Sequence, residues 1–157
     1  DPELNMVSLI AGMLRGIGPH AIKEVTDLRQ LRSAVAASSV DLMIVDEDLG
    51  PRGPLDVVRQ MRSDPQHPNR LTPIIMTSAA PDATLIARAR DAGVTEFLRK
   101  PFSAADLRVR IASLSGKPRA FVDVPSYAGP DRRRRTTDIG TAEQRGTVDD
   151  EASRSTR

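Results

Sequence analysis

Cysteine and tryptophan are absent from the chain, and aromatic residues make up only 3% of its 157 positions. Without cysteine there can be no disulfide framework, thiolate metal site or cysteine nucleophile. With so few aromatics, any core must be aliphatic. Long hydrophobic runs are lacking too: no apolar stretch approaches the roughly 20 residues that cross a bilayer, and no basic-then-apolar leader opens the chain. A cytoplasmic protein without membrane insertion is the expectation. Nor does one sign of charge dominate. Lys and Arg number 23 against 21 Asp and Glu, a formal net charge of +2, so bulk charge does not point to nucleic acid. The two histidines, His20 and His67, are not in ligand spacing, and no hydrolase or transferase constellation is visible. An independent enzyme is not expected.

What is present is an alternation of apolar periods. Leu4, Val7, Ile10, Ala11, Leu14 and Ile17 recur at helical spacing until Gly18-Pro19 stops the run. The alternating AIKEV, Ala21 to Val25, reads as a strand. Asp27 can cap a helix carrying Leu28, Leu31, Val35 and Ala36. VDLMIV, residues 40–45, is an apolar run of the kind found in buried parallel strands, and it ends in Asp46, Glu47 and Asp48. Leu55, Val58, Met61 and Arg62 suggest a third helix. TPIIMT, residues 72–77, is a further strand. Asp82 opens a helix that Gly93 closes, TEFLRK at residues 95–100 is the last strand, and Ser103 caps a final helix through Leu114. Strands and helices in alternation imply an α/β, doubly wound parallel sheet.

Two segments follow from this division. Residues 1–115 form the folded domain. Residues 116–157 are an arginine-rich extension of Gly, Pro, Ser, Thr and charged residues, expected to be disordered when free, with a strand docked at Ala120 to Val124.

In an open α/β sheet, ligand chemistry gathers at the carboxyl ends of the strands. Asp46, Thr77, Ser78 and Lys100 stand there. A carboxylate that attacks, with a hydroxyl and an ammonium that hold phosphoryl oxygens, can serve a phosphoryl group. DLMIVD, PIIMTSA and AGVTEFLRKPF, in this order and spacing, resemble the third, fourth and fifth strand regions of response-regulator receiver domains, the CheY-like fold. The resemblance covers about residues 1–115. It implies a five-stranded sheet in the flavodoxin-like order 2-1-3-4-5, with Asp46 as phosphoacceptor, Ser78 as switch hydroxyl, Lys100 as phosphate-pairing lysine before a cis Pro101, and Phe97 as rotating aromatic. It also implies a histidine kinase as partner.

The chain departs from that pattern twice. Receivers carry paired acidic residues after their first strand to help hold Mg²⁺, and here that pair falls on Asp1 and Pro2. Asp1, Asp46 and the carbonyl of Asp48 would make a weak Mg²⁺ site. The first strand itself precedes Asp1 in the family pattern, so a few apolar residues are expected before it.

GPDRRRRTTD, residues 129–138, carries the remaining signal. An arginine run is most often a solvated tail or a nonspecific nucleic-acid arm. Here, however, Arg135 and Asp138 form an RxxD, a spacing that resembles a cyclic di-GMP-binding motif. Guanidinium groups fork onto phosphates or the O6 and N7 of guanine, a carboxylate accepts from its N1 and N2, and Tyr127 offers a stacking plane. The candidate ligand contacts are Tyr127, Asp131, Arg132, Arg133, Arg134, Arg135 and Asp138. A CheY-like domain followed by such an extension is similar to the CheY-like c-di-GMP effectors called Cle proteins. That resemblance implies c-di-GMP as ligand, the flagellar motor switch as partner, and motility or attachment as output. In this expectation the tail orders on binding and packs on the face of the last helix and strand. The competing expectation is a single-domain phosphoreceiver in two-component signalling, modified on Asp46.

Overall fold

The computed structural model describes residues 1–18, 21–50, 53–116 and 119–133. Among the described residues two helices are followed by three parallel strands alternating with three more: α1 (Leu4–Ile17), α2 (Leu28–Ala37), β1 (Met43–Asp46), α3 (Leu55–Ser63), β2 (Ile74–Ser78), α4 (Ala83–Ala92), β3 (Glu96–Arg99) and α5 (Ala104–Gly116). β4 (Phe121–Val124) and β5 (Tyr127–Pro130) follow as an antiparallel hairpin.

The helix ends follow from local chemistry. Asp27 accepts the Gln30 N–H at 2.7 Å and Asp82 accepts the Leu85 N–H at 2.6 Å, each satisfying a donor that the first turn leaves without a helical partner. Ser103 and Asp106 exchange bonds at the start of α5 as a capping box. Gly93, at φ 99°, closes α4 in the left-handed conformation that suits glycine.

The sheet has the order β1-β2-β3, with Met43 opposite Ile74 and Ile75 opposite Glu96. Because successive side chains face opposite sides, each strand feeds two layers. Met43, Val45, Ile74 and Met76 join Leu31, Val35, Leu55, Val58, Met61, Ala89 and Ala92 beneath α2, α3 and α4. Ile44, Ile75 and Leu98 join Ile10, Leu14 and Leu107 beneath α1 and α5. Phe97 packs against the first of these clusters.

The expected five-stranded sheet is therefore three-stranded among the described residues, and Ala21 to Val25 is not a strand. In the order 2-1-3-4-5 that segment would pair with the first strand alone. Without that ladder its alternating pattern has no backbone partner to bond.

The hairpin also differs from expectation. A strand does form close to Ala120–Val124, but it pairs with β5, and it is β5 that packs on α3 and α4. Gly129 explains the close approach: a Cβ there would stand 3.0 Å from the Cα of Gly93 and 2.6 Å from the Tyr127 hydroxyl. Arg70 fastens the other strand, bonding Asp123 at 2.6 Å with its guanidinium carbon 4.9 Å from the Phe121 ring centre. Gly93 lies just before β3 and Arg70 just before β2, so the hairpin sits at the amino ends of the strands. A cleft of about 610 Å³ between hairpin and helices is lined by Arg59, Asp91, Asp123 and Tyr127, among others.

Beneath the hairpin is an unusual core residue. Arg62 is 1% exposed and donates to the carbonyls of Gly93 at 3.1 Å, Thr72 at 2.7 Å and Arg70. Burial lowers its guanidinium to about 10, so it stays charged at neutral pH, held by main-chain dipoles.

Candidate functional site

The carboxyl ends of β1, β2 and β3 meet at one edge of the sheet, and Asp46 lies at their centre with 3% of its surface exposed. Its Oδ2 pairs with Lys100 Nζ at 2.5 Å and accepts from the Thr77 hydroxyl at 2.8 Å. Its Oδ1 accepts the Asp48 N–H at 3.0 Å. Lys100 reaches a second carboxylate, Asp1 Oδ2, at 2.6 Å. The other oxygen of Asp1 accepts the Glu3 N–H at 2.9 Å, where α1 begins, so the head of that helix is tied to the site. The Lys100–Pro101 peptide is cis, as the resemblance implied.

Strand alternation explains which side chains meet. Asp46 shares the parity of Ile44, and Thr77 that of Ile75, both on the α1 and α5 side. Lys100, two residues beyond Leu98, continues on the same side. Ser78 and Glu47 have the opposite parity, that of Met76 and Val45 beneath α2 to α4. The structure accordingly places Thr77, not Ser78, on Asp46. The Ser78 hydroxyl donates to the Glu47 carboxylate and accepts the Ala80 N–H at 3.2 Å. Glu47 is not among the site residues expected from sequence, and Thr77, expected at the strand end beside Ser78, is the one whose hydroxyl reaches Asp46. The parity of IVDE beside MTSA is the signal that could have found both.

The Mg²⁺ ligands expected from sequence are only partly brought together. Asp1 and Asp46 converge, but on the ammonium of Lys100, and Asp48 joins through its main-chain N–H while its side chain is exposed. Pro2 supplies no second carboxylate. Among the described residues no three acidic or histidine side chains gather as a metal site. This donor set, two carboxylates already sharing one cation, does not fit a divalent ion in the arrangement described.

A model of the response regulator receiver domain family matches residues 1–112. The chain belongs to that family. A receiver's fold is also what the solved structures share with it. Chemotaxis protein CheY4 of Vibrio cholerae superposes with a TM-score of 0.64 at 20% identity, covering 71% of this chain and 90% of that one. The receiver domain of a Pseudomonas aeruginosa sensor histidine kinase, described with a magnesium ion in its active-site cleft, gives 0.61 at 24% identity, covering 70% and 88%. Among curated relatives, the transcriptional regulatory protein PdtaR of Mycobacterium tuberculosis is 33% identical over 98 residues, 62% of this chain and 45% of its own length. This receiver thus spans less than half of that relative. Among its described residues no helix is long and apolar enough to cross a membrane.

The candidate ligand residues of the extension are divided. Arg134, Arg135 and Asp138 lie outside the described residues. Tyr127, expected as a stacking plane for a base, is 7% exposed: it donates to the Pro130 carbonyl at 2.6 Å and its ring lies under Arg132, 4.2 Å from the guanidinium carbon. The hairpin's packing has given that ring another use. Arg132 also bonds Asp91 at 2.8 Å, and Asp131 accepts the Arg133 N–H at 2.9 Å, fixing the backbone as it leaves β5.

Proposed function

We propose that this receiver accepts a phosphoryl group on Asp46 within a two-component relay. The observation that supports it is the buried Asp46–Lys100 pair at 2.5 Å, set with the Thr77 hydroxyl where three parallel strands end. In the reaction a carboxylate oxygen of Asp46 attacks the phosphorus of a kinase phosphohistidine. The O–P bond forms, the P–N bond breaks, and the departing imidazole nitrogen keeps the electron pair and takes up a proton. Lys100 is placed to follow the phosphoryl oxygens as their charge develops, and Thr77 can redirect its hydroxyl to one of them. The test is incubation of the full chain with acetyl phosphate, with and without Mg²⁺, followed by intact-mass measurement. Addition of one phosphoryl group to the wild type and none to Asp46→Asn is the expected result; an unmodified wild type under both conditions would remove the reading.

A second reading assigns the extension to cyclic di-GMP, with the flagellar motor switch as partner and motility or attachment as output. What favours it is the exposed end of the hairpin, where Arg132 and Arg133 lead into Arg134, Arg135 and Asp138. Tyr127 is no part of this version. Calorimetric titration of cyclic di-GMP into the intact chain and into an Arg135→Ala, Asp138→Ala variant, with GTP and a short RNA as controls, tests it. Binding lost in the variant supports the reading, and equal heat with RNA overturns it.

A further inference from the structure

We infer that Glu47 is a positioning residue that withholds the Ser78 hydroxyl from the phosphoryl site, so that Ser78 engages only after this contact breaks. The inference rests on Asp46 as phosphoacceptor.

Ser78 is completely buried, and three contacts account for it. Its carbonyl accepts the Lys100 N–H at 2.7 Å, its Oγ accepts the Ala80 N–H at 3.2 Å, and its hydroxyl proton goes to Glu47. The backbone is therefore fixed from both sides, and rotation of the side chain is the freedom left. Glu47 is equally constrained. Its N–H bonds the Thr77 carbonyl at 3.0 Å, and its own carbonyl lies so close to Gly53, at φ 63°, that a Cβ there would come within 2.7 Å. Glu47 follows Asp46 as Ser78 follows Thr77, so continuing the parallel register by one residue sets the Glu47 carboxylate beside Ser78.

A hydroxyl bonded to a carboxylate is in a charge-assisted bond, stronger than one between neutral groups. A phosphoryl group on Asp46 must compete with Glu47 for the Ser78 proton, while Thr77 and Lys100 already touch Asp46. The two anions also repel. Phosphorylation alone then engages Thr77 and Lys100, and recruitment of Ser78 is a separate, opposed step.

The experiment uses four versions of the 157-residue chain: wild type, Glu47→Ala, Ser78→Ala and the double variant, with Glu47→Gln as a size-preserving control. Each is exposed to acetyl phosphate, and the yield and lifetime of the Asp46 phosphate are measured. Glu47→Ala is expected to raise them roughly tenfold, the scale of one charge-assisted hydrogen bond, and to have no such effect once Ser78 is alanine. A gain that persists without Ser78, or no gain in a phosphorylated series, overturns the inference. If no chain is modified, the phosphoacceptor reading itself falls. The contact is then judged in unmodified protein by hydrogen exchange of the Ala80 amide, which bonds the Ser78 oxygen: faster exchange in Glu47→Ala supports the contact, and unchanged exchange overturns it.

Discussion

Arg132 lies over the Tyr127 ring, 4.2 Å from guanidinium carbon to ring centre, while its Nη1 holds Asp91 at 2.8 Å. One side chain thus joins β5 to the last turn of α4. Because Tyr127 is nearly buried, most of the energy of this clasp resides in the ring. Tyr127→Ala should cost about 3 kcal/mol, the range for a buried aromatic, and Arg132→Ala less than about 1 kcal/mol, because its ion pair is half exposed. Urea unfolding of both variants checks the order; equal losses would show that the ring is not the anchor.

The same clasp responds to pH on both sides of neutrality. Hydrogen bonding from Arg132 holds the Asp91 carboxyl below its ordinary 3.8. The unfolded chain therefore binds the proton more readily, so this contribution to stability is present above 3.8 and is lost as pH falls through the lower folded value. Burial raises the Tyr127 phenol above its ordinary 10.0, with Arg132 pulling the other way. Here the unfolded phenol ionises first, so stability is lost as pH rises beyond 10. In Arg132→Ala both groups should titrate at higher pH than in the wild type, which NMR titration of Asp91 and ultraviolet titration of Tyr127 can follow.

Lys100 serves two carboxylates, each at most 4% exposed at the side chain. Lys100→Met leaves Asp1 and Asp46 facing one another without their shared cation, and the expected loss is about 3 kcal/mol. Asp46→Asn in the same chain removes one of the two charges and should restore a large part of it. Thermal melts of the single and double variants read this directly. A double variant no more stable than Lys100→Met would show that charge is not the cause.

Gly93 is confined twice, by its positive φ and by Arg62, whose Cγ would stand 2.8 Å from any Cβ added there. Gly93→Ala should destabilise by about 2 kcal/mol, combining left-handed strain with displacement of the guanidinium from its carbonyls. Hydrogen exchange at Thr95, whose amide bonds Ile74 just beyond this turn, should accelerate.

Much of this architecture is legible in the sequence because it is written in local terms. The caps Asp27, Asp82 and Ser103 and the stop at Gly93 stand where their chemistry predicts, and the apolar strands lie within three residues of it, β1 starting at Met43 and not at Val40. Ala21–Val25 is a different case: alternation describes a surface suited to a strand but cannot supply the neighbour that makes one. Tyr127–Pro130 fails in the opposite sense, since glycine and proline read as breakers until the close approach of Gly129 to Gly93 reveals why small residues are needed. At the site, Asp46 and Lys100 are found by position alone. Which of Thr77 and Ser78 meets Asp46 depends on the sheet face each side chain takes, and the same parity, once β1 and β2 are known to be neighbours, sets Glu47 beside Ser78.

The hairpin's place at the amino ends of the strands puts the two ends of α4 in different company. Asp82, at its start, follows shortly after Ser78 and Ala80, whereas Asp91, near its end, is gripped by Arg132. Ten helical residues make a rod of about 15 Å between them. α4 thus runs from the phosphoryl-site end of the sheet to the hairpin end, and Asp91 is the point at which the rod is fastened to Arg132.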